Sequence, residues 1–213
     1  MPLNFGDHPH SLHGLGWQRP WTVLDAQERS ARLIHGHDGG PGWPWCYSAE
    51  QRVRIDESGL RIVLTLTNED QRPMPAGLGL HPYFPLDTAT RLTFRSGQVW
   101  LADWTMIPTE AAPADHFGDW SKSATVSESA PIDNSYDAWD GKARIDHPTA
   151  PATWIEAEGA AALHLFIPPG AGFFCVEPVS HLPDALNRPG FAMDVLAPGE
   201  TMRLALRIGA AAQ

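Results

Sequence analysis

The sequence predicts an all-β protein, an antiparallel sandwich of two large sheets. Three observations predict it. Apolar residues recur with period two: Leu60, Ile62, Leu64 and Leu66 alternate with Arg61, Val63, Thr65 and Thr67. Helix-period patterns are nearly absent. Finally, 20 prolines and 19 glycines cut the 213 residues into short runs. Many short strands with turn signals between them favour two packed sheets.

Taken in order, Thr22 to His35 holds two strands and Gly36 to Pro44 a loop. Tyr47 to Ile55, the turn Asp56-Glu-Ser-Gly59 and Leu60 to Asn68 form a hairpin. A Pro-rich turn follows at Arg72 to Pro75. Arg91 to Leu101 reads as a strand pair broken at Ser96-Gly97. Pro108 to Ser121 and Ser127 to Asn134 read as loops, the stretch from Thr109 long enough for a lid or a short helix. Lys142 to Asp146, Thr153 to Ala157 and Ala162 to Ile167 are short strands. Phe173 to Glu177 and Thr201 to Ile208 close the set. Residues 1–213 are expected to form one domain, long enough to bury a sizeable core.

The formal net charge is −10, from 15 Lys+Arg against 25 Asp+Glu. That balance argues against nucleic acid and anionic membranes as main partners and leaves a neutral ligand open. Cys46 and Cys175 make neither a disulfide framework nor a metal set, and both are expected to be reduced and buried. No apolar run approaches a membrane span. The segment Met1 to His8 lacks the basic start and apolar centre of a signal peptide, so the expected compartment is the cytoplasm. Nine tryptophans suit core packing, and also stacking on the C–H face of sugar rings.

Two motifs carry the chemistry. In Gly77-Leu-Gly-Leu-His81-Pro-Tyr83-Phe84-Pro85, prolines and glycines stiffen the backbone around one imidazole, which is a way to aim it at a ligand. The alternative is a packed turn whose histidine bonds a carbonyl. In Phe173-Phe-Cys-Val-Glu177-Pro, a carboxylate ends an apolar strand, which is costly unless the group is paired or used. The alternative is an edge glutamate bonded to the following loop. His8, His10 and His13 lie close in sequence without the context of a metal site. His35, His37, His116, His147 and His164 carry no motif and are expected to be surface or structural. His181 is expected at the pocket rim.

With both motifs in view, the chain resembles the aldose 1-epimerase (mutarotase) family. Gly79-Leu-His81-Pro-Tyr83-Phe84 resembles the family's G-x-H-x-Y-F segment, which makes His81 the general acid. Cys175-Val-Glu177-Pro, followed by Leu182-Pro-Asp184-Ala-Leu-Asn187, resembles its C-x-E-x…P-D-A-x-N segment, which makes Glu177 the general base. Leu12-His13-Gly14-Leu15-Gly16-Trp17 is similar to the L-H-G segment, and Ile132-Asp133-Asn134-Ser135-Tyr136 to a segment with a sugar-binding aspartate. Pro198-Gly199-Glu200 fits the terminal turn. The resemblance thus implies a sugar site of His81, Glu177, His13, Asp133, Trp17 and Tyr83, with His81 and Glu177 lining one cleft and standing roughly a sugar ring's width apart. It implies a galactose-mutarotase-like supersandwich, a hexose substrate, and neither metal nor cofactor.

One departure stands out. The family carries strands before the L-H-G segment, with an N-R-I arginine that binds sugar; no Asn-Arg-Ile occurs here. Truncation, a misassigned start and a lost sugar contact are three accounts of it, and Arg19 is a weak substitute. A sandwich incomplete at its N-terminus is expected to leave an open sheet edge, and so to self-associate, as a homodimer for instance, or to be marginally stable. Two other functions remain at this stage: a hexose-6-phosphate 1-epimerase, for which Arg19, Arg52, Arg54 and Arg72 are the candidate phosphate ligands, and a non-catalytic sugar-binding module.

Overall fold

In the computed structural model, residues 1–188, 190–191 and 193–210 are described. The last three residues of the expected 1–213 unit lie outside this range. Seventeen strands follow one another: β1 (Thr22–Gln27), β2 (Ser30–Asp38), β3 (Cys46–Asp56), β4 (Gly59–Asn68), β5 (Met74–Ala76), β6 (Tyr83–Pro85), β7 (Arg91–Phe94), β8 (Gln98–Ala102) and β9 (Pro108–Pro113), then β10 (Ala124–Thr125), β11 (Ile132–Asp137), β12 (Lys142–Asp146), β13 (Thr153–Glu158), β14 (Ala162–Ile167), β15 (Phe173–Val179), β16 (Asp194–Leu196) and β17 (Thr201–Ala210). Among the described residues, helix is limited to single 3₁₀ turns at Gly16–Gln18 and Trp120–Lys122. Among the described residues, no helix is long and apolar enough to cross a membrane.

The strands form a nine-stranded antiparallel sheet, β1-β2-β3-β4-β17-β13-β12-β7-β10, and a six-stranded one, β6-β15-β14-β11-β8-β9. β5 and β16 add a two-stranded ribbon. The period-two pattern explains how the large sheets pack. Leu163, Leu165 and Ile167 of β14 and Phe174 and Val176 of β15 meet Leu92, Ile145, Ile155 and Leu206 of the larger sheet in one core. Within it, the Trp120 indole donates 2.9 Å to the Tyr136 hydroxyl, so both buried polar groups are satisfied. The ribbon strands contribute Met74, Ala76 and Leu196 to a second core with Tyr47, Leu66 and Leu204.

Several expectations are corrected. Pro108–Pro113 is a strand, not a lid or helix; it pairs with β8 at the sheet edge, and Ala112 packs on the core while its neighbours face solvent. The expected loop at Ser127 to Asn134 ends early, because Ile132 is a buried first residue of β11. The two strands of Arg91 to Leu101 belong to different sheets instead of pairing with each other. Cys46 is only half-buried, while Cys175 is buried; both are free.

β1 is a sheet edge with all six residues exposed and a bulge between Val23 and Asp25. The β3–β4 turn closes on Gly59, with φ at +114°. A Cβ there would overlap the Ile208 carbonyl of β17. Gly59→Ala should therefore cost at least about 2 kcal/mol. Urea unfolding should show a lower midpoint with an unchanged slope.

Candidate active site

The site lies on the face of the six-stranded sheet away from the core. The segment before β6 runs along β15, and its register decides the geometry. Gly79 bridges Val179, and Tyr83 pairs with Cys175. The same register sets His81 opposite Glu177, and His81 Nε2 stands 3.2 Å from Glu177 Oε1. On the other flank Glu177 pairs with His164, and His164 pairs with Ser135. Side chains alternate along a strand, so directly opposed residues share a face. One row across the sheet therefore reads His81, Glu177, His164, Ser135.

Asp133 stands two residues from Ser135 on the same face. Its carboxylate accepts a 2.8 Å bond from His164 Nε2, and His164 Nδ1 lies 2.8 Å from the Ser135 hydroxyl. His13 reaches in from the N-terminal loop, its ring edge-on to His81 at 5.5 Å between centroids. It occupies the left-handed region, at φ 54°, ahead of Gly14 at φ 67°. Asn4 holds that strained turn. It donates 2.7 Å to Leu12 O and 3.0 Å to Gly14 O, and accepts 2.8 Å from Leu12 N. Tyr83 stacks on His81 at 4.8 Å, and Trp17 meets His13 edge-on at 5.5 Å. Both rings remain exposed.

All six residues of the expected sugar site are thus brought together through contacts with His81, His164 or His13. Two further expectations change. His81 and Glu177 touch, where a sugar ring's width between them was expected. His164, expected to be surface or structural, lies inside the cluster; its signal was the alternation of Leu163, His164 and Leu165, which turns His164 to the face of Glu177. His181 packs against Gly77, where a Cβ would overlap its ring. Arg19 acts on His35 and Tyr47, away from this cluster. Asn4 carried no sequence signal at all. Asp184 and Asn187 of the second motif bond each other and shape the loop after β15.

Burial sets the electrostatics. It pushes the Glu177 carboxyl up to about 7; the charge on His164 opposes the rise and that on Asp133 adds to it. Burial lowers His81, assisted by the charge on His13. Burial also lowers His13, again helped by His164. His164 behaves oppositely: burial works against its charge, but the bond to Asp133 and the charge on Glu177 outweigh it and raise its pKa. The Cys175 thiol is pushed up to about 12 by burial and by Glu177. A hollow of about 580 Å³ lies elsewhere, on the outer face of the nine-stranded sheet. Its Glu50 is already paired with Arg32 and Arg52.

A galactose-mutarotase-like sandwich with an imidazole–carboxylate pair on its smaller sheet defines a class. The aldose 1-epimerase family model matches residues 3–209, and this chain belongs to that family. The chain is 30% identical over 214 residues to the uncharacterized protein YphB of Escherichia coli K12, across 93% of this chain and 72% of that one. A crystal structure from Escherichia coli K12, described as a candidate aldose 1-epimerase, superposes with a TM-score of 0.87 at 29% identity, covering 98% of this chain and 75% of that one. A galactose mutarotase-like protein of Clostridium acetobutylicum gives a TM-score of 0.83 at 17% identity, covering 99% and 72%; at that identity the likeness is one of fold.

The raised Glu177 pKa has a stability consequence. The group favours folding fully below its unfolded value, near 4.5, and loses that contribution as pH rises through about 7. The loss is about 3 kcal/mol at most. Glu177→Gln should therefore unfold at higher temperature than the parent at pH 8, with the gap closing near pH 4.5. Parallel melts at the two pH values check this.

Proposed function

We propose that this chain is an aldose 1-epimerase that interconverts the α and β anomers of a hexose. The observation that carries the reading is the 3.2 Å contact between His81 and Glu177, flanked by His13, Asp133 and His164. Glu177 takes the proton of the C1 hydroxyl. His81 gives its proton to the ring oxygen, and the C1–O5 bond breaks. The open aldehyde rotates about C1–C2, and closure on the other face returns both protons. Nothing is oxidised or reduced. His13 and Asp133 hold ring hydroxyls, and Tyr83 and Trp17 offer aromatic faces to the C–H side of the sugar.

The pKa directions refine this reading. With Glu177 raised and His81 lowered, the pair holds one proton near neutrality, and that proton resides mainly on the carboxyl. The reactive arrangement, carboxylate and imidazolium, is the minor partition of the same proton count. Its share stays constant while the pair keeps one proton. The rate should therefore be bell-shaped in pH, with limbs that belong to the pair.

The hexose-6-phosphate reading is less well supported. Of its candidate arginines, Arg52 and Arg54 lie on β3 of the other sheet, beside Glu50 and Asp56, and Arg72 binds Asp70. A pure binder has no need of a desolvated carboxylate against an imidazole. The exposed β1 edge supports a homodimer, and we place the enzyme in the cytoplasm.

Polarimetry on α-glucose and α-galactose tests the proposal. His81→Ala and Glu177→Gln should each slow mutarotation by about 10²-fold or more with the fold retained. An unchanged rate in Glu177→Gln would make the carboxylate structural. His164→Asn removes the charge that restrains the Glu177 pKa, so the basic limb of the pH–rate profile, which belongs mainly to the carboxyl, should move to higher pH. A stationary limb would reduce His164 to packing.

A further inference from the structure

The ligand chemistry around Glu177 extends past proton transfer. Cys175 and Glu177 are two residues apart on β15, so both side chains face the site. His81 and Tyr83 run opposite them. As a result one ligand atom each of His81, Cys175 and Glu177 lies within 4.8 Å of the other two. In a tetrahedral zinc site with N, O and S ligands about 2.0–2.3 Å from the ion, the edges measure about 3.3–3.6 Å. The His81–Glu177 edge is already 3.2 Å. With separations of up to 4.8 Å, the cysteine arm needs a movement of at most about 1.5 Å, within reach of a side-chain rotation. His81 is partly exposed, so solvent can reach the trio and supply a fourth ligand.

We propose that His81, Cys175 and Glu177 form a reversible inhibitory site for a divalent transition metal that accepts a thiolate, such as Zn²⁺ or Co²⁺. The metal and a hexose would exclude each other there, so the inhibitory part of the inference rests on the function proposed above. The metal-binding part does not.

The chemistry balances without a redox partner. Binding replaces the hydrogen of the Cys175 thiol and any proton on Glu177, both released to solvent, while neutral His81 donates its lone pair. The lowered His81 pKa favours this form at neutral pH; the raised thiol pKa opposes it and makes binding stronger as pH rises. Two features keep the site weak enough to be reversible. Among the described residues, His81 Nδ1 has no hydrogen-bond partner, so none of them fixes the ring as an outer acceptor; such partners are worth about 10–100-fold in affinity. The thiol is also fully buried and must be desolvated as its charge forms. The other cysteine, Cys46, lies on β3 of the larger sheet and has no place in the cluster.

The test is a Co²⁺ titration of the whole protein, followed by thiolate-to-cobalt charge-transfer absorption. The parent and Cys46→Ser should both give the band, with one equivalent of metal bound at saturation. Cys175→Ser, checked by circular dichroism for an intact sheet signal, should lose the band. Glucose and galactose, added to the parent, should reduce it. Zn²⁺ should displace Co²⁺ and slow mutarotation in the parent at least about tenfold more than in Cys175→Ser. Absence of a band in the parent, or its survival in Cys175→Ser, would overturn the metal site. A Cys175-dependent band that both sugars leave untouched would overturn the proposed exclusion. If the band is present but no variant shows mutarotation, the metal site stands and the epimerase reading fails.

Discussion

The contact between His81 and Glu177 is the constraint on which the rest of the site depends. A carboxyl group only 5% exposed must be neutral or compensated. Here it is flanked by the partly exposed imidazole of His81 and by His164, whose raised pKa favours its charged form. The bond to Asp133 favours the charged form of His164 and fixes Asp133 on the same face. Ser135 satisfies the second nitrogen of His164. Remove any member and a buried group loses its partner. The row is thus a mutually supporting network whose cost the two hydrophobic cores must offset.

The sandwich explains why that network stays in place. β14 and β15 of the smaller sheet each carry two unrelated tasks on alternate residues. Leu163, Leu165 and Val176 face the core, while His164, Cys175 and Glu177 face the site. A slip of one residue in β14 or β15 would send the charged row into the core, so packing enforces the register of the chemistry. The N-terminal loop completes the enclosure. Its strained His13 is kept in the left-handed region by the Asn4 bonds, and this loop brings a second imidazole to His81.

Much of this was legible in the sequence, for physical reasons. Strong alternation, as in Leu60 to Thr67, reports a half-buried strand directly, and the hairpin closing at Gly59 followed from it. His81 and Glu177 were visible because rigid glycine and proline neighbours and an apolar strand are unusual settings for titratable groups. His164 was hidden because one histidine in an apolar strand looks like any solvated position; only knowing that Glu177 lies beside it gives it meaning. The strand Pro108–Pro113 was hidden because two prolines and exposed alternation resemble a loop, and an edge strand tolerates both. The spacing between His81 and Glu177 was not legible, since it depends on a cross-strand register between segments nearly a hundred residues apart.

The most direct test of the account is a carboxyl ¹³C NMR titration of the free protein, with the Glu177 resonance assigned by comparison with Glu177→Gln. The account predicts a principal transition near pH 7, displaced from the ordinary glutamate range, and a smaller response reporting the His81 half of the coupled pair. A single transition near 4.5 would contradict it. That result would mean a hydrated carboxylate, free of the desolvated contact on which the proposed proton transfer depends.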